Sequence, residues 1–269
     1  MPFDIDARVI ENRRLSSDYN VLSLEAPDIA GATEPGQFVM VKPDRGIDPL
    51  LRRPFSVFEI LRDGGRPVGL SILSKRVGVT TGQIFGAQAG QRVQCLGPLG
   101  RAFTLPGPAT EVWMVAGGVG LAPFWTVAEA LAGRGVTLTL FYGGRGDADL
   151  LYLDYFERLG VTLAVCTEDG SRGERGRVTI PLERALAARQ AGTDVLVHAC
   201  GPDPMLAAVA RLAARYGCRC EVSVERVMGC GLGGCYSCVV PVKAANGGFH
   251  HVRSCISGPI FDAATLVWD

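Results

Sequence analysis

The stretch "EVWMVAGGVGLAPFWTVAEALAGRGVTLTLFYGG", residues 111–144, decides the fold of this chain of 269 residues. An apolar run ends in a glycine-rich loop, a helix-like segment follows from residue 123, and a second apolar run begins at residue 136. Two buried strands joined by a helix form a βαβ unit, in which the strands are parallel. The stretch therefore predicts a parallel sheet covered by helices.

The same alternation continues toward the C-terminus. Further apolar runs at 161–168 and 194–201 alternate with helix-like segments at 152–160, 181–192 and 204–217. Repeated βαβ units predict a doubly wound parallel α/β domain. The alternation stops after about Glu221, so a different unit begins there.

The residues before 111 have a different pattern. Gly, Pro and Asp turns separate short apolar runs, which lie at 7–15, 19–26, 37–43, 54–60, 68–75 and 91–99. Helical periodicity is weak there except around Thr80–Phe85. Closely spaced short strands predict an antiparallel β-barrel. We therefore expect an α+β multidomain chain, with a barrel domain at 1–106, an α/β domain at 107–222 and a small C-terminal domain at 223–269.

The C-terminal domain contains four closely spaced cysteines in "GCGLGGCYSCVV", residues 229–240, and beyond it: Cys230, Cys235, Cys238 and Cys255. The spacing C-x4-C-x2-C with a distant fourth cysteine is that of plant-type [2Fe-2S] clusters. A hairpin over 239–254 would return Cys255 to the site. Glycines at 231, 233 and 234 favour a cluster, because they let backbone N–H groups point at its sulfurs. Structural zinc, which usually takes C-x2-C pairs, and buried free thiols are the alternatives.

The composition excludes several classes of function. Lys plus Arg balance Asp plus Glu at 27 each, so charge gives no reason to expect nucleic acid or an anionic membrane as partner. The charged N-terminus lacks the apolar core of a signal peptide, and glycines and Pro123 interrupt the longest uncharged run, 112–128. We therefore expect a cytoplasmic protein without a membrane span. The nine cysteines then indicate metal or redox chemistry rather than disulfides.

Three short segments have the composition of phosphate-binding loops. "AGGVGLAPF", residues 116–124, and "ACGPDPML", residues 199–206, both follow predicted strands, so both lie at the same rim of the sheet. "LLRRPFSV", residues 50–57, offers arginines and Ser56 to a diphosphate. A tight turn between strand and helix, or an ordinary charged strand edge, would give similar segments.

Together these motifs resemble a known family. R-P-F-S is similar to the R-x-Y-[ST] flavin motif of the ferredoxin-NADP reductase superfamily, and the two glycine loops are similar to its nicotinamide-nucleotide loops. A [2Fe-2S] unit after these two domains resembles the electron-transfer subunits of the type B dihydroorotate dehydrogenases. "LGPLGRAF", "EDGSRGERGRVT" and the ending "CISGPIFDA" extend the resemblance over nearly the whole chain.

The resemblance implies three cofactors, FAD, a [2Fe-2S] cluster and NAD, and a set of residues for each. FAD would be held by Arg53, Pro54, Phe55, Ser56, Leu73, Ser74 and Lys75, with Thr80 and Thr81 beside its phosphates. The nicotinamide nucleotide would be held by Gly117, Gly118, Gly120, Pro123, Gly201, Pro202 and Met205. Cys200 would lie near the nicotinamide as the candidate catalytic residue. The four cysteines would hold the cluster.

The resemblance also implies a function in electron transfer. A flavin exchanges hydride with nicotinamide and single electrons with a cluster, so it belongs between them. Electrons would pass between NAD and a flavin-containing catalytic subunit, with two copies of each subunit in a heterotetramer, and the substrate would be dihydroorotate, from pyrimidine biosynthesis. The family often has C-K-D-G-P where this chain has "CISGP" from Cys255.

Other functions remain open at this point. The first is the small subunit of an NADH-dependent ferredoxin-NADP oxidoreductase, or the reductase component of another dehydrogenase. A cluster-bearing redox sensor and a nucleotide-binding module with structural zinc are alternatives from other classes. The choice between NAD and NADP is also open, because Arg145 could meet a 2′-phosphate that Asp147 and Asp149 would oppose. The resemblance favours NAD.

Overall fold

The computed structural model describes residues 1–44 and 46–268, and its N-terminal part is a seven-stranded antiparallel sheet. The strands are β1 (Phe3–Arg14), β2 (Tyr19–Glu25), β3 (Phe38–Lys42), β4 (Arg53–Ser56), β5 (Glu59–Asp63), β6 (Arg66–Lys75) and β7 (Arg92–Leu99). Their order across the sheet is β4-β3-β7-β1-β2-β6-β5. Two short helices, α1 (Pro27–Ala32) and α2 (Val79–Gly86), connect strands, and α2 lies where helical periodicity was predicted.

Two residues close this sheet into a barrel. β4 and β5 follow each other in the chain but lie at opposite edges of the sheet, so residues 57–58 must bridge the two edges. Val57 N donates to Gln37 O at 3.0 Å, beside β3, and Phe58 N donates to Ser71 O at 2.8 Å, in β6. The run at 54–60, predicted as one strand, is therefore two strands separated by a corner. The predicted antiparallel barrel is confirmed.

The second sheet is parallel, apart from one edge strand. It contains β8 (Thr110–Gly117), β9 (Thr137–Gly144), β10 (Thr162–Thr167), β11 (Glu174–Arg175), β12 (Asp194–Cys200), β13 (Arg219–Ser223) and β16 (Ile260–Asp262), in the order β11-β10-β9-β8-β12-β13-β16. The helices are α3 (Phe124–Leu131), α4 (Leu153–Arg158), α5 (Thr179–Ala188) and α6 (Asp203–Arg215). The chain leaves β8 toward β9 and later returns to β12 on its other side, which makes the boundary between β8 and β12 a switch point.

Strand β8 shows why helices cover both faces of this sheet. Val112 and Met114 belong to one buried core, whereas Trp113 and Val115 belong to a second core on the opposite face. Successive side chains of a strand point to opposite faces, so a strand buried on both faces is apolar throughout. The predicted doubly wound α/β domain is confirmed.

The C-terminal part packs on both sheets rather than around a core of its own. Its hairpin consists of β14 (Val239–Lys243) and β15 (Phe249–Arg253), and α7 (Ser254–Ser257) leads into β16. β16 pairs with β13 antiparallel, so the end of the chain extends the second sheet. The sequence did not reveal β13 or β16, whereas the hairpin over 239–254 is present as predicted. The three domain boundaries stay a prediction.

None of the helices in the described residues is both long enough and apolar enough to cross a membrane.

Candidate functional site

The two glycine loops that follow β8 and β12 meet at the predicted rim. A Cβ built on Gly120 would collide with the carbonyl oxygen of Cys200, and one built on Gly201 would lie 3.2 Å from the Cα of Gly117. Gly118 has a φ of 53° and Gly201 a φ of 155°, conformations that favour glycine. The glycines therefore permit backbone to pack on backbone, which brings the two loops together.

A cavity of about 460 Å³ opens at this rim, between the two sheets. Of the predicted nucleotide-binding residues, its walls include Gly117, Gly118, Pro202 and Met205. Gly120 and Pro123 are buried behind the loop, and Thr126 Oγ1 donates to Pro123 O at 3.0 Å. Gly118 and Gly120 lie in a short 3-10 turn, 118–121, and α3 begins at Phe124, within one residue of the predicted start.

The sequence reasoning missed several cavity residues. They come from both sides of the cleft and are Tyr19 from β2, Glu168 after β10, and Arg177 and Thr179 at the start of α5. Lys75, predicted to bind FAD, also lines this cavity. The position of Glu168 directly after an apolar strand was a usable signal, because polar residues at strand ends face the ligand in such sheets.

Asp149 joins the barrel to the α/β part at the mouth of the cavity. Its Oδ1 accepts hydrogen bonds from Tyr19 Oη at 2.5 Å and from Lys75 Nζ at 2.9 Å. Its Oδ2 accepts from the backbone N–H of Arg145 at 3.2 Å. Burial opposes ionisation of this carboxyl, but the bonds from Tyr19 and Lys75 outweigh it and lower the pKa of Asp149. We call this set of three side chains the Asp149 clasp.

A buried tyrosine connects the clasp to the glycine loop. The Tyr142 hydroxyl lies 3.1 Å from the carbonyl oxygen of Gly118 and 2.9 Å from that of Asp149. It also accepts a bond from Leu151 N at 3.2 Å. Burial raises the pKa of Tyr142, so the hydroxyl keeps its proton and can donate. The hydroxyl therefore lies between the glycine loop and the clasp, with one proton to donate to either carbonyl.

The predicted flavin motif forms β4, at the edge of the barrel sheet. Arg53 lies opposite Val41 and Ser56 lies opposite Phe38 in β3. Arg53 is exposed, and its Nη1 donates to two backbone oxygens of its own loop, at 3.1 and 3.2 Å. Arg52, by contrast, forms an ion pair with Asp4 at 2.7 Å. Within the described ranges no carboxylate pairs with Arg53, which leaves its guanidinium open to an anionic ligand.

Strand β6 contacts β4 and supplies the second predicted flavin segment. Ser74 Oγ is buried and has no hydrogen-bond partner in the part of the chain that the structure describes. A buried polar atom without a partner is costly, so its orphaned state fits a ligand that supplies one. Leu73 is buried in a core with Val21 and Trp125. An unpaired guanidinium and an orphaned hydroxyl on adjoining strands fit the predicted FAD.

The threonines predicted to lie beside the flavin phosphates sit in the first turn of α2, as expected. However, the hydroxyl of Thr81 is already hydrogen bonded, and Thr80 is buried. Thr81 Oγ1 accepts hydrogen bonds from Val77 N at 2.9 Å and from Gly78 N at 3.0 Å. Thr80 is buried. Thr81 therefore stabilises the start of the helix, and its hydroxyl is already in use.

The four cysteines lie in one small unit that rests on barrel strand β3. Cys238 and Cys255 are buried with Met40 and Leu99 of the barrel. Cys238 O accepts a hydrogen bond from Ser254 N at 2.9 Å, which returns Cys255 to the loop. The loop begins at Cys230, whose sulfur accepts from Leu232 N at 3.3 Å.

At two of the three glycines of this loop there is no space for a side chain. Gly231 has a φ of 72°, and a Cβ there would lie 2.7 Å from Met40 Cγ. Gly233 has a φ of 81°, and a Cβ there would lie 2.9 Å from Ile256. Gly234 has open space around it. The loop must therefore turn tightly at residues 231 and 233 to bring the sulfurs together.

The four thiols are close enough to influence one another's ionisation. Cys230 affects Cys235, and both Cys238 and Cys230 affect Cys255. Hydrogen bonds from Ser237, whose Oγ lies 3.2 Å away, lower the pKa of the Cys235 thiol to about 6, whereas burial raises the pKa of Cys255 to about 12. Among the described residues no three His, Cys, Asp or Glu side chains converge as for a single metal ion. Four thiols in one unit suit a [2Fe-2S] cluster, which is held by four cysteine thiolates.

Cys200, the candidate catalytic residue, is the last residue of β12. Its side chain is buried beside Ser223 of β13, the residue opposite it in the sheet. Burial raises the pKa of the Cys200 thiol, so the group is a neutral thiol at physiological pH. Its backbone adjoins Gly120 of the first glycine loop, but its side chain is not among the walls of the cavity, and its place near the nicotinamide stays a prediction.

Comparisons with known proteins agree with this architecture. Residues 114–211 match the family model described as "Oxidoreductase NAD-binding domain". Residues 225–267 match the model described as "Iron-sulfur cluster binding domain of dihydroorotate dehydrogenase B". A solved structure of an NADH-dependent reduced ferredoxin-NADP oxidoreductase aligns with a TM-score of 0.84 and 26% identity, over 98% of this chain and 91% of that one. A ferredoxin NADP+ reductase from Neisseria gonorrhoeae, at 16% identity, shares the fold over 80% of this chain and 92% of its own, with a TM-score of 0.65.

Two curated relatives are similar over nearly their whole length. The dihydroorotate dehydrogenase B (NAD(+)) electron transfer subunit of Desulforamulus reducens is 34% identical over 264 residues, which are 98% of each chain. The protein of the same name from Geobacillus thermodenitrificans is 37% identical over 262 residues, or 96% of each chain. On this full-length similarity, the chain belongs to the family of dihydroorotate dehydrogenase B (NAD(+)) electron transfer subunits.

Proposed function

We propose that this chain passes electrons between the catalytic subunit of a dihydroorotate dehydrogenase and NAD, through a [2Fe-2S] cluster and FAD. One observation carries the proposal: Met40 of β3 lies between the flavin motif and the cysteine unit. It is opposite Pro54 of β4, and Gly231 of the cysteine loop packs on its side chain. Neighbouring strands are about 4.8 Å apart, so the two cofactor segments are close neighbours.

The barrel residues would bind and orient the flavin. Arg53 offers a fork of donors to the diphosphate, and Ser74 offers its unpartnered hydroxyl. When bound, FAD supplies the exchange between hydride transfer and single-electron transfer. Pro54, Phe55 and Ser56 complete the flavin strand, whereas Leu73 and Thr81 support the site through packing and capping.

The rim residues would bind the nicotinamide nucleotide. Gly117 and Gly118 would let the diphosphate approach the backbone, and Pro202 and Met205, which adjoin Gly117, line the same cavity. The Asp149 clasp holds Lys75 at the mouth of the cavity. Cys200 would keep a neutral, water-excluding side chain next to the loop.

Cys230, Cys235, Cys238 and Cys255 would be the four ligands of the cluster, and the chain would divide into the three domains 1–106, 107–222 and 223–269. The family relationship implies a catalytic partner subunit, and we place its docking surface around the exposed Cys235. Val227, Leu232, Tyr236 and Ile256 surround this region with exposed apolar side chains, as expected of an interface. Two copies of each subunit would form a heterotetramer.

Turnover by the separate and the combined subunits tests the proposal. The purified chain should oxidise NADH with dyes but should not turn over dihydroorotate, because each of its parts is already committed to a cofactor. Adding a dihydroorotate dehydrogenase catalytic subunit should give NAD-linked turnover. Efficient dihydroorotate oxidation by the chain alone would contradict this division of labour.

A second candidate is the small subunit of an NADH-dependent ferredoxin-NADP oxidoreductase. The solved structure of that kind, which aligns over 98% of this chain, favours it. The subunit that co-purifies from the native host distinguishes the two functions. A partner that reduces NADP with ferredoxin, and a failure to bind any dihydroorotate dehydrogenase subunit, would establish the second candidate.

Arg53→Ala should weaken FAD binding about ten- to a hundredfold, because a charge-assisted hydrogen bond contributes roughly 1.5–3 kcal/mol. The measurement is the fraction of FAD retained after serial dilution and filtration. Arg66→Ala is the matched control, since Arg66 is an exposed arginine of the same barrel, at the far end of β6 from Ser74. Equal retention of FAD by both variants would show that the flavin motif is assigned wrongly.

A further inference from the structure

The Asp149 clasp lies beside the glycine loop that follows β8. A Cβ built on Gly118 of this loop would lie 3.9 Å from Tyr19 Oη. All three side chains of the clasp line the same cavity as this glycine. Since Gly118 is one of the residues at which a diphosphate would approach the backbone, the clasp adjoins the proposed diphosphate site.

Two side chains of the clasp are hydrogen-bond donors of the kind that bind phosphates. One is the ammonium of Lys75, whose Nζ also lies 4.8 Å from the centre of the Tyr19 ring. The other is the hydroxyl of Tyr19. Burial and the bond to Asp149 raise the pKa of Tyr19, so its hydroxyl keeps its proton and donates. Within residues 1–44 and 46–268, Asp149 is the only carboxylate that forms an ion pair with Lys75.

Asp149 is held in place by a bond that does not depend on these two donors. Its Oδ2 accepts from the backbone N–H of Arg145, in the turn after β9, at 3.2 Å. Its side chain is only 16% exposed, so water solvates the carboxylate poorly. An anion that takes Lys75 and Tyr19 therefore leaves a poorly solvated charge with fewer partners, which opposes binding of that anion.

We propose that Asp149 and the diphosphate of the nucleotide compete for Lys75 and Tyr19, so that Asp149 weakens nucleotide binding and favours release; this rests on the proposed nucleotide-binding function of the cavity. Lys75 is then a ligand of the nucleotide rather than of the flavin. A diphosphate carries more negative charge than one carboxylate and also meets the glycine loop, so it can displace Asp149. Ready release matters because release of product often limits turnover.

Calorimetric titration of ADP-ribose, which carries no nicotinamide, into the oxidised, cofactor-loaded chain measures the competition without turnover. Asp149→Asn keeps the shape of the side chain but removes its charge, so the dissociation constant should fall about tenfold. In a Lys75→Met background the same substitution should tighten binding by about twofold or less, because the donor under competition is absent. If Asp149 merely repelled the nucleotide, the gain would be at least as large without the ammonium, which screens that charge.

Asp147→Asn is the matched control, because it removes a neighbouring carboxylate that pairs with Arg172 and does not line the cavity. It should leave the dissociation constant within about twofold of the original. Unchanged or weaker binding by Asp149→Asn, or an equal gain in both backgrounds, would overturn the competition. Loss of FAD from Lys75→Met would overturn the assignment of Lys75 to the nucleotide. Failure of the unmodified chain to bind ADP-ribose would instead overturn the nucleotide-binding function itself.

Discussion

Cys235→Ser is expected to lower the iron content from about two atoms per chain to almost none and to abolish turnover with the catalytic subunit. Cys235 is the exposed member of the four-cysteine unit, so serine fits the fold without new contacts. The substitution removes one of the four thiolates, so the remaining three no longer hold the cluster firmly. FAD content and reduction of the flavin by NADH should stay nearly intact, because both depend on the other two parts of the chain.

Iron and acid-labile sulfide after anaerobic, iron-replete expression are the measurements, together with NAD-linked dihydroorotate oxidation by the combined subunits. Cys218→Ser is the control, since Cys218 is a free cysteine outside the unit, in contact with Arg189. It should retain both iron and turnover. Stoichiometric zinc without labile sulfide in the unmodified chain would instead contradict the iron–sulfur assignment.

Gly120→Ala is expected to have the largest effect on nucleotide binding. A Cβ there meets the backbone carbonyl of Cys200, which cannot move aside as a flexible side chain would. Overpacking of this kind costs typically 1–3 kcal/mol, so the free energy of unfolding should fall by about 2 kcal/mol or more. The two glycine loops should separate, and the KM for NADH should rise about tenfold or more.

Denaturant unfolding and NADH–dye kinetics measure the two effects. Gly107→Ala is the control, because a Cβ at Gly107 has open space around it and the residue precedes the α/β sheet. It should change neither quantity. An unaltered KM in Gly120→Ala would show that contact between the loops does not shape the nucleotide site.

The parts of the fold that the sequence predicts are those with repeated local patterns. Apolar runs alternating with helical segments determined the α/β sheet, and short runs with turn residues determined the barrel. Cysteine spacing located the cluster unit without tertiary information. In each case the signal lies within about 30 residues, where periodicity and turn chemistry act directly.

The parts that the sequence does not predict depend on contacts between distant segments. The Asp149 clasp joins residues from three separate strands or turns. The sequence around Tyr19 and Lys75 does not indicate that Asp149 is their hydrogen-bond partner. Thr81 was assigned to a phosphate, but it bonds to its own helix start. The strand β16 is too short to show any periodicity, and it forms because β13 offers a free edge.

The strand β16 also limits how this protein could be divided or recombined. The cysteine unit lies between β13 and β16 in the sequence. The last strand of the second sheet is therefore supplied by residues that follow the cluster-bearing segment. Phe261 and Leu266 pack into the same core as Val222. A shortened chain that ends before residue 260 would lose an edge strand of the α/β part as well. The cluster unit therefore cannot be exchanged between reductases as an independent module, because the α/β part would lose β16.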